Sequence, residues 1–142
     1  KYLDGARDLL NLRVCDGRIV DGHGDLRLEH VFLQRLPVVI DCVEYSAARR
    51  VRDALDDLAA LMMECRRRGR SDVASAFATA YSHRTSDVPA PHLEAFYRSL
   101  HATGRARESA LARDGPRRNG QTLGVEFQSY LDQAVLDLRN CS

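Results

Sequence analysis

The chain has 142 residues, a length that suits one hydrophobic core, and we expect residues 1–142 to form a single domain. Lysine and arginine number 21 and aspartate and glutamate 20, so the formal net charge of +1 gives no overall reason to expect a nucleic-acid partner. No apolar run approaches the roughly 20 residues that a membrane-spanning helix needs, so no membrane partner is expected either.

The first third of the chain predicts a helix, a tight loop and a hairpin. Hydrophobic residues recur at helical spacing over residues 2–14, and Gly17 is a natural stop. Two glycines within residues 21–25 allow backbone conformations that other residues avoid, which predicts a tight loop. The apolar runs at 31–33 and 38–40 predict the two strands of a small buried hairpin.

The remaining two thirds predict helices. Apolar residues at steps of three and four over 47–68 predict one long amphipathic helix, which Gly69 ends. Ser71 is a suitable N-cap for the next helix, and Gly104 is expected to weaken the one after it. Residues 114–120 predict a basic loop. The other predicted helices are 71–81, 92–110 and 125–138. The expected fold class is therefore α+β and mainly α.

The cysteines and the arginine cluster both favour an ordinary interpretation over a special site. The four cysteines are far apart, form no C-x-x-C pair and follow no secretory signal. We therefore expect reduced thiols in a cytoplasmic protein, rather than a zinc cluster or a disulfide framework. Residues 66–70 carry four arginines, but a helix C-terminus favours cations and no aromatic residues are interleaved with them. A solvated helix end is expected there.

Two aspartates stand where phosphoryl transfer needs carboxylates. That reaction asks a protein mainly for positioning and charge neutralisation. In its glycine-flanked loop, Asp25 can accept the proton of an attacking hydroxyl, with His23 bracing the loop through hydrogen bonds. Asp41 closes an apolar strand and can offer a hard oxygen ligand to Mg2+. Taken singly, the loop could be an ordinary turn and Asp41 the end of a strand. Together, the order of loop, hairpin, aspartate and acidic helix is that of a kinase C-terminal lobe.

Two motifs and a downstream helix pattern resemble a known family. Residues 23–25 read His-Gly-Asp, and residues 39–45 read Val-Ile-Asp-Cys-Val-Glu-Tyr. They resemble the HGDxxxxN catalytic loop and the I-D-C-[IL]-E-F metal-binding segment of the aminoglycoside phosphotransferase-like family of kinase-fold enzymes. Further positions similar to an uncharacterised bacterial branch of that family are Arg50, Asp53, 56–59, Tyr97 and 105–107. The resemblance covers approximately residues 2–113.

The resemblance implies a protein-kinase-like C-terminal lobe with one small β-hairpin, and ATP-dependent transfer of a phosphoryl group to a hydroxyl of a small molecule. It implies Asp25 as the catalytic base with His23 beside it, Asp41 as a Mg2+ ligand, and Asp57 as a support for the loop. Where the wider family has an asparagine as second metal ligand, this chain has His30. That imidazole could serve a changed metal and cofactor geometry, orient Asp25, or hold the base of the hairpin.

Other features leave the activity of this chain open. Glu44, Arg50 and Asp53 are weaker candidates, for loop anchoring, a substrate contact or surface ion pairs. A kinase also needs an N-terminal lobe with a phosphate-covering loop and a lysine on the nucleotide phosphates. Lys1 is the only lysine, so we expect the N-terminal lobe to be absent from this chain, which looks like a fragment that is inactive alone. The alternative is a catalytically inactive pseudoenzyme or interaction module.

Overall fold

The structure is a computed structural model that describes residues 2–113 and 120–141, with side chains described for residues 6–112 and 124–141. Over these ranges the fold is mainly helical with small antiparallel β-elements, which confirms the α+β, mainly α class. The helices are α1 (Tyr2–Cys15), α2 (Ala47–Arg50), α3 (Ala54–Arg67), α4 (Ser71–Thr85), α5 (Pro91–Arg113) and α6 (Gly120–Arg139). The strands are β1 (Ile19–Asp21), β2 (Val31–Phe32), β3 (Val38–Val39) and β4 (Val51–Asp53).

Two short sheets flank the glycine-containing loop. Strands β1 and β4 pair antiparallel with Val20 opposite Arg52, and β2 and β3 pair antiparallel with Val31 opposite Val39. A single 3-10 turn, Leu28–His30, leads from the loop into β2. The loop is therefore held between a sheet on each side. The second sheet is the predicted hairpin, whereas the β1–β4 pair was not predicted.

Helix α3 is the centre of the core. It packs against α4, α5 and α6 and is buried along most of its length. Leu55, Met62 and Leu93 are completely enclosed in the main hydrophobic cluster. Met63 on the other side of α3 joins a second cluster with α5 and α6. Enclosing each such side chain contributes about 1.5–3 kcal/mol to folding, so α3 is the element that ties the helices together.

A buried ionic cluster joins α1 to the beginning of α3. We call Arg13, Asp53 and Asp87, with the tyrosines that touch them, the Arg13 cluster. Arg13 Nε and Nη2 donate to the two Asp53 oxygens at 2.8 and 2.7 Å, and its Nη1 donates to Asp87 Oδ1 at 2.6 Å. The hydroxyl of Tyr81 donates to Asp87, and that of Tyr97 donates to Asp53 at 3.2 Å. The hydrogen bonds to Asp53 raise the pKa of Arg13 despite its burial. The charge is thus paired rather than stranded in the interior.

The prediction of a single long helix over 47–68 is wrong for the first third of that range. After one turn, α2, the chain becomes extended at Val51–Asp53 before α3 begins. The extended residues form hydrogen bonds with β1, and Asp53 then caps α3 by accepting a hydrogen bond from the Leu55 N–H at 2.9 Å. Pairing with a distant strand and a side-chain cap together override the local helical periodicity.

The hairpin lies where it was predicted but is not buried. Leu33 and Leu36 are 87% and 78% exposed, and Phe32, Val38 and Val39 are exposed as well. With strands of two residues each, the hairpin has little surface to bury against the helices. The apolar runs therefore form a surface patch rather than part of the core.

The C-terminal helices are longer than predicted. Helix α5 passes through Gly104 without a break, because its neighbours Ala102 and Ala106 are packed and hold it in place. Ser71 is the first helical residue of α4 rather than its cap. Helix α6 begins at Gly120, and the rest of the basic loop predicted for 114–120 lies outside the described residues.

Candidate functional site

The glycine loop between β1 and the 3-10 turn needs its glycines. Gly24 has φ +86°, and a Cβ there would lie 3.1 Å from two carbon atoms of Val43. A Cβ on Gly22 would meet the Asp57 carboxylate at 2.4 Å. The first position demands a left-handed backbone and the second demands a close approach, so both are closed to larger residues. Contacts with Val43 and Asp57, which lie on two other segments, therefore restrict both positions to glycine.

Asp57 in the first turn of α3 holds the loop backbone. Its Oδ2 accepts a hydrogen bond from the His23 N–H at 2.6 Å, and its Oδ1 accepts one from the Gly24 N–H at 3.1 Å. The carboxylate is buried, with Arg52 Nη1 3.5 Å away. The prediction that Asp57 supports the loop is confirmed. A carboxylate on two backbone donors and one guanidinium fixes the segment immediately before Asp25.

His23 joins the loop to the segment that carries Asp41. Its Nδ1 accepts a hydrogen bond from the Asp25 N–H at 3.4 Å, so its Nε2–H donates to the Ile40 carbonyl at 2.8 Å. The Val43 N–H donates in turn to the His23 carbonyl at 3.0 Å. The predicted bracing by His23 is confirmed, and it extends further than expected because it ties residue 40 to the loop.

His30 bridges the two candidate carboxylate segments. Its Nδ1 donates to the Asp25 carbonyl oxygen at 3.0 Å, and its Nε2 lies 3.3 Å from Asp41 Oδ2. The ring is buried and stacks on His23 with the centroids 5.5 Å apart. Donation from Nδ1–H to a backbone carbonyl leaves Nε2 beside the Asp41 carboxylate, an arrangement that suits both a metal ligand and a residue that orients Asp41.

Asp41 adopts a left-handed backbone conformation, which is uncommon outside glycine although aspartate tolerates it better than most residues. Its φ is +62°, in the left-handed region, and its carboxylate is 76% exposed. Such a conformation costs energy and persists where surrounding bonds hold it, often at functional positions. Here the flanking hydrogen bonds of residues 40 and 43 to the loop provide that hold. The result is an aspartate presented outward next to His30.

The side chain of Asp25 is engaged by two arginines. Arg27 Nε donates to Asp25 Oδ2 at 2.9 Å, and Arg105 Nη2 on α5 donates to Oδ1 at 3.4 Å. The carboxylate is 41% exposed. Sequence reasoning assigned no role to Arg27, and it noted Arg105 only as part of a matching segment. No spacing pattern could have revealed a contact between residues 80 positions apart.

A polar cleft opens beside the two arginines that bind Asp25. It has a volume of about 410 Å³ and lies between the 3-10 turn, the end of α3, α5 and α6. Its wall includes Arg27, Arg105, Glu64 and Tyr130. Burial, together with the hydrogen bond that its hydroxyl donates to Glu64 at 2.6 Å, raises the pKa of Tyr130 to about 12. The charged lining suits a hydrophilic ligand rather than an apolar one.

The three weaker candidates have structural partners. Arg50 donates to Asp21 Oδ1 at 2.6 Å and to the Val43 carbonyl at 2.9 Å, so it anchors the segment after Asp41. The hydrogen bond that Arg50 donates to Asp21 lowers the pKa of the Asp21 carboxyl. The carbonyl of Glu44 accepts a further, longer bond from Arg50 at 3.4 Å. Asp53 belongs to the buried Arg13 cluster, so the expectation of a surface pair is wrong for it.

The donors available to a metal are few. Among the described residues, no three His, Cys, Asp or Glu side chains converge closely enough to hold an ion by themselves. Mg2+ commonly takes only one or two protein carboxylates and completes its shell with water and substrate phosphates. The exposed carboxylate of Asp41 fits that pattern.

No helix within the described ranges has both the length and the apolar character to cross a membrane.

Comparisons with known proteins give relatives without an assigned activity. No family model matches the chain, and no solved structure matches it. Uncharacterised proteins of Mycobacterium bovis and of two strains of Mycobacterium tuberculosis are each 34% identical to it over 108 residues. The match covers 75% of this chain but 22% of each relative. The chain therefore spans about a fifth of the length of the curated relatives that it matches.

Proposed function

We propose that this chain is the C-terminal catalytic lobe of an ATP-dependent phosphotransferase, of the aminoglycoside phosphotransferase-like kind, that acts on a hydroxyl of a small molecule. The observation that carries the proposal is the bridge made by His30. It links the loop of Asp25 to the carboxylate of Asp41 at 3.0 and 3.3 Å. A catalytic base and a metal ligand must be held in a fixed position relative to each other. Here one buried ring contacts both of the backbone segments that carry the two aspartates.

Each residue has a distinct task in this proposal. Asp25 would accept the proton of the acceptor hydroxyl as its oxygen bonds to the terminal phosphorus of ATP, while the bond from that phosphorus to the bridging oxygen breaks and ADP leaves. Asp41 is the protein ligand for Mg2+, which when bound neutralises charge on the nucleotide phosphates. His23 and Asp57 keep the loop rigid, and His30 orients Asp41. Since a misplacement of 1 Å can cost about 100-fold in rate, this bracing is as necessary as the carboxylates.

The surroundings of the site include a polar cleft and an exposed apolar hairpin. The polar cleft of about 410 Å³ is lined by both arginines that bind Asp25, and this supports the proposal that a small hydrophilic acceptor enters there. The apolar hairpin of β2 and β3 is also exposed, with Leu33 87% and Leu36 78% accessible. A patch of this kind is typical of a surface that another protein segment covers. In this proposal it receives the nucleotide-anchoring N-terminal lobe.

The test uses the full-length protein with Mg2+ and ATP, because the acceptor is unidentified. The assays are phosphate release with water as acceptor and the shift in melting temperature with nucleotide. Asp25→Asn should lower turnover at least 100-fold yet keep the Mg2+–ATP stabilisation, since a base acts on the hydroxyl. Asp41→Asn should remove both, since it holds the metal. Asp16→Asn, an exposed carboxylate outside the site, is the control and should behave like the wild type. Turnover retained by Asp25→Asn or Asp41→Asn would refute the proposal.

The second candidate is an inactive kinase-like interaction module. One observation favours it: both Asp25 oxygens already accept arginine donors, so the carboxylate is partly occupied. A module of this kind should show neither turnover nor a melting shift with Mg2+ and ATP in the full-length protein. The two candidates therefore give opposite results in the same pair of assays.

A further inference from the structure

We propose that Arg27, Arg105 and Glu108 are positioning residues for Asp25, and that together the four side chains form a closed ring of ion pairs. The proposal rests on the function proposed above, because it gives these residues the task of aiming the base. It gives a role to Arg105 and Glu108 on α5, outside the matched catalytic-loop and metal-binding segments, and to Arg27 at a variable position of the catalytic loop. Its central claim is that α5, which begins more than 60 residues after the loop, sets the orientation of the Asp25 carboxylate.

The ring is closed by Glu108. Arg27 and Arg105 each donate to a different oxygen of Asp25, at 2.9 and 3.4 Å. The same two arginines converge on one oxygen of Glu108, with Arg105 Nη1 at 3.0 Å and Arg27 Nη2 at 3.4 Å. Carboxylate and guanidinium groups therefore alternate around the ring. Each arginine is planar and offers several donors in a fixed geometry, so one guanidinium can bridge two carboxylates.

The ring is suited to positioning rather than to holding the fold together. The carboxylates of Asp25 and Glu108 are 41% and 59% exposed, and ion pairs with such access to water add little to stability. The arginines are more enclosed, since Arg105 is 11% and Arg27 27% exposed. Two nearly fixed cations thus hold two partly exposed anions. The ring therefore gives the Asp25 carboxylate a defined direction and changes the free energy of folding only slightly.

The ring also leaves Asp25 able to react. An ionised carboxylate has about four lone-pair sites, and the arginines use one on each oxygen. The remaining sites are available to an acceptor hydroxyl, because the Asp25 carboxylate is 41% exposed. The ring therefore fixes the base while keeping its approach open. This separates the positioning proposal from the inactive-module alternative, in which the arginines only occupy the carboxylate.

The experiment compares Arg105→Gln with Arg107→Gln in the full-length protein. Arg107 is exposed on the same helix and is the matched control. We expect Arg105→Gln to lower kcat for Mg2+–ATP turnover five- to fiftyfold with KM for ATP within twofold, because a misaimed base slows the chemical step. Amide hydrogen exchange over residues 22–27 should become faster in this variant. Arg105→Lys keeps the charge but loses the bridge, and should restore part of kcat.

The outcomes separate this inference from the proposed function. Arg105→Gln matching Arg107→Gln in both kcat and loop exchange would overturn the ring, even if Asp25→Asn abolished turnover. Turnover that survives Asp25→Asn would instead defeat the proposed function, together with any catalytic meaning of the ring. If Glu108→Gln changes loop exchange in the same direction as Arg105→Gln, and the double variant adds nothing further, the closed ring is supported. Fully additive effects on exchange would contradict it.

Discussion

Replacing Asp53 by asparagine should destabilise the protein by about 3 kcal/mol, by breaking the Arg13 cluster. Asp53 accepts two charge-assisted hydrogen bonds from Arg13, at 2.8 and 2.7 Å, and both side chains are buried. Removing one partner of such a pair costs about 3–5 kcal/mol, because the other charge stays in the interior. The lower end applies here, since Asp87 still faces Arg13 at 2.6 Å. Asparagine also keeps an oxygen for the Leu55 N–H.

The assay is urea unfolding followed by circular dichroism. With a slope of about 2 kcal/mol per molar urea, a loss of about 3 kcal/mol lowers the midpoint by about 1.5 M. Asp53→Ala removes the helix cap as well and should cost about 1 kcal/mol more. Tyr97→Phe deletes one 3.2 Å hydrogen bond to Asp53 and should cost about 1 kcal/mol. Asp72→Asn, in an exposed pair with Arg70, is the control, and its midpoint should stay near that of the wild type.

The ranking of these variants is the critical result. If Asp53→Asn shifts the midpoint no more than Asp72→Asn does, the Arg13 cluster does not stabilise the fold as argued. If the unfolding slope changes as well as the midpoint, the variant has altered the unfolded or native ensemble, and the comparison must be repeated by calorimetry. A midpoint shift of roughly 1.5 M at constant slope supports the reasoning.

Four further variants or conditions test other features. Gly24→Ala should destabilise by about 1–2 kcal/mol or more, because φ is +86° and Val43 is 3.1 Å away, whereas Gly104→Ala in open space within α5 should stabilise by up to about 1 kcal/mol in thermal melts. Burial opposes the ionisation of Asp87, but hydrogen bonds from Arg13 and Tyr81 outweigh it and lower its pKa. The stability that ionised Asp87 contributes is therefore complete above about pH 4 and is lost as the pH falls through the folded-state pKa. Asp87→Asn should accordingly make the free energy of unfolding depend less on pH on the acid side of the profile. Burial raises the pKa of the Cys65 thiol, so iodoacetamide should label it far more slowly than the exposed Cys15, and equal rates would contradict its burial.

Local signals in the sequence were enough to locate the loop and most helices. The glycines around His23 predicted a tight loop, and the structure shows that one has a positive φ and the other faces a carboxylate. The apolar residues of α4 and α5 recur at steps of three and four, and this spacing predicted helices at the right places. The hairpin was placed correctly because its strands and turn residues are adjacent in the chain.

What could not be predicted depends on contacts between distant segments. Strand β4 lies inside a helical pattern, and its extended form comes from pairing with β1 more than 30 residues earlier. The exposure of the hairpin depends on how little of it the helices cover. The contact of Arg105 with Asp25 spans 80 residues and leaves no periodic trace in the sequence. Each of these features belongs to tertiary structure, where local propensity is only a weak guide.

The start of α3 links the stability of the fold to the geometry of the candidate site. Asp53 caps this helix and binds Arg13, while Asp57 in the same first turn accepts the N–H groups of His23 and Gly24. The loop is therefore anchored to the most deeply buried helix of the protein, four residues from the buried ionic cluster. Rigid elements place functional groups more accurately than loops do alone. A loop whose backbone is bonded to α3 and whose aspartate is bonded to α5 takes its shape from both, and this explains how a segment so rich in glycine can hold a carboxylate in a fixed direction.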